Sequence, residues 1–104
     1  MSDTYSVIYS PEAKDNLREI YSYIAFTAEG QVNRIRKEIR SLDFMPARYA
    51  IVDWEPWRSM EMHRVPVDNF VVYYAIDDKS RTVTVIRIFY GGRDAEGIIN
   101  AEHI

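Results

Sequence analysis

Between Thr4 and Ser10, residues Tyr5, Val7 and Tyr9 fall on one side of an extended chain and Ser6 and Ile8 on the other, the period of a β-strand. Ser10-Pro11-Glu12 then predicts a helix start. Serine can accept from an orphan first-turn amide, proline loses nothing at the first helical position, and Glu12 suits the positive end of the helix dipole. The helix carries its apolar stripe on Ala13, Leu17, Ile20, Tyr21 and Ile24, with Lys14, Asn16, Arg18 and Glu19 mostly off it. Thr27-Ala28-Glu29-Gly30 interrupts the pattern, with Gly30 as the residue expected to end the helix. A second helix presents Val32, Ile35, Ile39 and Leu42 on one face and Arg34, Arg36, Lys37, Glu38 and Arg40 on the others. The two helices read as an antiparallel hairpin that needs a sheet beneath it.

Met45-Pro46 closes the helical region, and Tyr49 to Arg58 is irregular and aromatic. From Ser59 to Val65 the chain alternates again, predicting a strand. Pro66 to Asn69 reads as a turn. Phe70 to Ile76 is almost continuously apolar, as suits the centre of a sheet. Asp77 to Ser80 is a second turn, Thr82 to Tyr90 a last strand, and Ala95 to Ile104 a short helix anchored by Ile98 and Ile99. The order predicts an α+β fold: an N-terminal strand, a two-helix antiparallel hairpin, a three-stranded antiparallel meander completing a small sheet, and a short C-terminal helix.

The 104 residues fit one domain, residues 1–104. Thirteen cations against sixteen acids give a net charge of −3, which argues against a globally basic nucleic-acid binder and leaves a local patch open. The lack of cysteine excludes disulfide scaffolds, thiolate zinc sites and a cysteine nucleophile, and it fits a reducing cytoplasm. The N-terminus shows no secretory signal, and no apolar run is long enough to span a membrane. His63 and His103 share no metal-ligand spacing, so neither a metal site nor a cofactor is expected.

Ten of the thirteen cations are arginine, whose planar fork suits carboxylate or phosphate. Those on the second helix read as a solvated face, with a binding patch as the alternative. Arg87 interrupts an apolar strand; strict alternation places it with Val83, Val85 and Phe89, opposite Ile86, Ile88 and Tyr90. Arg64 interrupts its neighbourhood in the same way, and Arg58 and Arg93 flank the two strands. If the strands are adjacent, these four arginines with His63, Tyr73 and Tyr90 line a common cleft; otherwise Arg64 and Arg87 pair with acids such as Glu61 or Asp94. Gly91-Gly92 after Tyr90 lets another backbone or a phosphate approach closely. Trp54 and Trp57 are expected to pin the irregular loop to the domain.

Tyr9-Ser10-Pro11-Glu12-Ala13, Leu17-Arg18-Glu19-Ile20, Tyr23-Ile24, Ser41-Leu42 to Pro46, His63-Arg64-Val65, Asn69 to Tyr74 and Arg87 to Asp94 occur in an order, and in a chain length, that resemble the RelE/ParE superfamily. These are the toxins of bacterial type II toxin-antitoxin, or plasmid-stabilisation, modules. The resemblance implies a helical hairpin on a small antiparallel sheet and a cytoplasmic growth inhibitor silenced by a cognate antitoxin in a hetero-oligomeric complex. It implies one of two targets: ribosome-bound mRNA, cleaved without metal in the RelE-like branch, or DNA gyrase, inhibited without hydrolytic chemistry in the ParE-like branch. An inactive partner-binding relative is a third possibility. In the RelE-like case Arg87, Tyr90 and Arg64 match catalytic positions. The arginine that branch carries between Asn69 and Tyr74 is Val71 here, and Phe89 stands where some members have a catalytic histidine. Together with the acidic balance, these departures point toward the ParE-like branch.

Overall fold

The computed structural model describes residues 4–23 and 29–102. Ile24, the Thr27-Ala28 interruption, His103 and the far end of the last helix lie outside the described residues. In chain order the elements are β1 (Ser6–Tyr9), α1 (Pro11–Tyr23), α2 (Glu29–Arg40), two single 3-10 turns (Ser41–Asp43 and Pro46–Arg48), β2 (His63–Val67), β3 (Phe70–Asp77), β4 (Thr82–Tyr90) and α3 (Ala95–Glu102). The sheet runs β1-β4-β3-β2, with β1 parallel to β4 and the other pairs antiparallel. The α+β order read from the sequence is the order observed.

Ser10 starts α1 as its chemistry dictates. Its hydroxyl oxygen accepts from the Ala13 amide at 3.0 Å and its O–H donates to the Ile86 carbonyl at 2.8 Å, tying the helix start to β4. Ala13, Leu17 and Ile20 of α1 and Val32, Ile35 and Ile39 of α2 are buried against Val65, Val72, Tyr74, Val83, Val85 and Ile88. Leu42 completes this core from the 3-10 turn rather than from α2. Tyr21, expected on the buried stripe, is 50% exposed beside it. Gly30 does not terminate a helix: it lies inside α2, and no described glycine has positive φ.

The expected strand from Ser59 begins only at His63. Glu61 takes a left-handed backbone (φ 54°), which breaks an extended chain, and the Met60 and Met62 amides donate back to the carbonyls of Pro56 and Trp57. The following turn is tighter than expected: Pro66 and Val67 belong to β2, and Asp68-Asn69 alone joins it to β3. Proline fits because β2 is an edge strand.

A second, smaller core covers the other face of the sheet, with Val52, Trp57, Met62, Val71, Tyr73, Phe89, Ala95 and Ile99. Trp57 stacks on Trp54 and leans on Tyr73, each at 4.9 Å between ring centres, so the tryptophans do pin their loop. Strict alternation in β4 fails at a bulge. Tyr73 faces Arg87 while Tyr74 faces Val85, leaving Ile86 as an extra residue. Beyond it the faces exchange. Arg87 and Phe89 join the second core's side, whereas Ile88 joins Val83 and Val85 under the helices.

Candidate functional site

Three of the sequence-predicted residues form one row. Register pairs Arg64 of β2 with Tyr73 of β3, and Tyr73 with Arg87 of β4. Burial pushes the Tyr73 phenol above the ordinary tyrosine range, and the neighbouring Arg64 guanidinium pulls it back. The row rests on an aromatic floor. Trp57 lies 4.9 Å and Phe89 6.0 Å from the Tyr73 ring, and the Phe89 ring carries the guanidinium carbons of Arg87 and Arg93 at 5.8 and 5.3 Å.

Arg87 is not free to meet an anion in this arrangement. Its side chain is 16% exposed, and both terminal nitrogens donate to the two carboxylate oxygens of Glu102 on α3. The acid partner is thus Glu102 instead of Glu61 or Asp94. Asp94 has other work: its Oδ1 accepts from the Gly97 amide at 3.1 Å and its carbonyl from the Ile98 amide, capping α3. A Cβ on Gly97 would lie 2.3 Å from Asp94 Oδ2, so a side chain there would require that carboxylate to turn.

The other predicted residues do not join this row. Tyr90 is more than half exposed on the helix side of β4, edge-on to Phe70 at 5.8 Å. It lines a groove of about 960 Å³ with Asn16, Ile20, Ile88 and Arg93. Asn16 Oδ1 accepts the Ile88 amide at 3.0 Å, satisfying a strand edge that β1 does not reach. His63 is buried; its Nδ1–H donates to the Tyr49 carbonyl at 2.7 Å and its ring stacks on Tyr74. It holds the chain entering β2. Arg58 is exposed on the tryptophan turn. Gly91 realises the close approach expected of the glycine pair: its amide donates to the Asn69 carbonyl at 2.7 Å, where a Cβ would sit 3.1 Å from that oxygen.

Sequence reading missed Glu102, Asn16 and a second groove between α1 and α2, lined by Tyr9, Lys14, Leu17, Arg18, Tyr21 and Arg36. Only the last had a signal, the spacing of 14, 17, 18 and 21 along one helix face. Among the described residues no cluster of three His, Cys, Asp or Glu is placed to hold a metal, and no helix is long and apolar enough to cross a membrane.

A family model described as the ParE toxin of the type II toxin-antitoxin system, parDE, matches residues 7–95. No curated protein matches the sequence. Several solved structures share the fold. The toxin-antitoxin complex RelBE2 of Mycobacterium tuberculosis aligns with TM-score 0.66 at 16% identity, covering 84% of this chain and 91% of that one. The chromosomal ParDE system of P. aeruginosa aligns at 0.64 and 16% identity, covering 86% and 98%. The isolated RelE toxin of E. coli aligns at 0.64 and 13%, covering 95% and 97%.

Proposed function

The chain belongs to the ParE toxin family of type II toxin-antitoxin systems, and from that premise we propose that it arrests growth by binding DNA gyrase in the cytoplasm until a cognate antitoxin covers it. The observation that carries the choice of target is the parting of Arg87 and Tyr90. They lie on opposite faces of β4, one under α3 and the other in the groove beside α1. Proton transfer needs its groups within hydrogen-bond reach of one reacting phosphate, and a β-sheet between them prevents that. Val71 and Phe89, where the ribonuclease branch carries cationic or titratable groups, are buried in the second core at 7% and 3% exposure. They serve packing.

The Arg64–Tyr73–Arg87 row is what the alternative reading, a ribosome-dependent mRNA endoribonuclease, would use. The two readings separate on induction without antitoxin. The gyrase reading expects purified chain to block supercoiling of a relaxed plasmid, relief by co-purified antitoxin, and intact transcripts in arrested cells. Transcript cleavage at codon positions with normal supercoiling overturns it, as does the absence of any growth defect.

A further inference from the structure

We propose that the groove between α1 and α2 binds the phosphodiester backbone of nucleic acid through Lys14, Arg18 and Arg36, with Tyr9 at its floor and Tyr21 at its rim. This site is separate from the Arg64–Tyr73–Arg87 row and stands whichever cellular target the toxin has. The groove has a volume of about 470 Å³, and among the described residues no carboxylate lines it. The exclusion follows from helix geometry. Positions 14, 17, 18 and 21 share one face of α1, whereas Asn16 and Glu19 turn toward the other groove. From α2, position 36 faces the same space, and Arg40 lies one turn further on, close enough to act on the Tyr9 phenol.

The cations are available. Among the described residues, Lys14, Arg36 and Arg40 have no ion-pair partner, and Arg18 is held only by the exposed Asp15 at 3.1 Å. Arg34, two positions before Arg36, is by contrast tied to Asp68 at 2.7 Å. Tyr9 is half-buried, and burial raises its pKa although Arg36 and Arg40 lower it, so its phenol keeps a proton to donate to a phosphate oxygen. Tyr21 exposes half its surface at the rim, where a ring can stack on an unpaired base. Guanidinium forks, a phenolic donor and an exposed ring suit a phosphodiester chain better than a carboxylate-bearing peptide, which has no planar base for the ring. In a chain of net charge −3, such a basic groove also sets the orientation of approach.

The test is fluorescence anisotropy of short labelled single-stranded and duplex oligonucleotides with the full chain over a range of salt. Each of Lys14→Gln, Arg18→Gln and Arg36→Gln is expected to weaken binding several-fold and reduce the log–log salt slope by about one. Arg36→Lys keeps the slope, and Tyr21→Ala weakens the single strand more than the duplex. Arg34→Gln, outside the groove, binds as the parent does. All these side chains are exposed, so far-ultraviolet circular dichroism should be unchanged and loss of fold is read directly. Parent-like slopes in the three Gln variants overturn the proposal. So does an equal loss in Arg34→Gln, or variants that keep the oligonucleotide but release poly-glutamate.

Discussion

Replacing Trp57 with alanine tests whether the second face of the sheet is a true core. The indole is 3% exposed, stacked on Trp54 and packed on Tyr73, and it shares its cluster with Ala95 and Ile99 of α3. Truncating a buried tryptophan to alanine costs about 3–5 kcal/mol in lost burial and residual cavity. A domain of this length has roughly 5–15 kcal/mol in total, so the change removes about a fifth of its stability at the least. At about 4–8 °C per kcal/mol, the melting midpoint falls by roughly 12 °C or more. Trp54 is only half-buried, so Trp54→Ala should cost distinctly less. Urea titration followed by circular dichroism gives both values. Because α3 stands on the same cluster, its amides should also exchange faster in Trp57→Ala than those of α1. Equal costs at the two tryptophans, or unchanged exchange in α3, refute the reasoning.

Glu102→Gln removes the carboxylate from Arg87; Glu102 is about half exposed, so the cost is about 1 kcal/mol, read from the urea midpoint, with faster amide exchange in α3 as the local sign. Val71→Arg places a charge where the side chain is 7% exposed against Phe89 and should cost about 3 kcal/mol or more; a folded variant with the parental melting midpoint contradicts the packing role given to Val71. Burial raises the phenols of Tyr9, Tyr73 and Tyr74 above their unfolded value. The native state therefore holds protons that the unfolded chain releases: this stability is complete below about pH 10 and falls above it, by up to about 1.4 kcal/mol per pH unit for each phenol. Urea midpoints at about pH 9 and pH 11 measure the fall. Tyr74→Phe should flatten it while losing the hydrogen bond from the phenol to the Pro46 carbonyl.

The element order was legible because each element has a clean period and a chemical start or stop. Ser10-Pro11 opens α1, and Asp77, whose Oδ1 accepts from the Lys79 amide, turns β3 into β4. What escaped depends on backbone choices that the side-chain pattern does not encode. Glu61 enters the left-handed region without being glycine, so the alternation running back to Ser59 suggested a strand that is not there. Gly30 suggests a stop because glycine readily takes positive φ, yet it has no positive φ and lies in the first turn of α2. The arginine row was half legible. Arg64 and Arg87 stand out in the sequence as interruptions of apolar strands and Tyr73 as a possible cleft neighbour, but their separation from Tyr90 follows from a non-local register. The Arg87–Glu102 pair, fifteen residues apart and set by where α3 docks, has no local signature.

The extra residue in β4 also bears on how this sequence can change length. In a regular strand, losing one residue turns every later side chain to the opposite side, exchanging Phe89 with Ile88 and opening both cores. At Ile86 that parity rule is suspended, since Ile86 and Arg87 together oppose a single partner position. Deleting Ile86 would straighten the ladder and leave Arg87, Ile88, Phe89 and Tyr90 on the sides they already occupy, whereas deleting Thr84 would invert all four. The bulge is thus the joint at which β4 can shorten by one residue without rewriting the chemistry of either face.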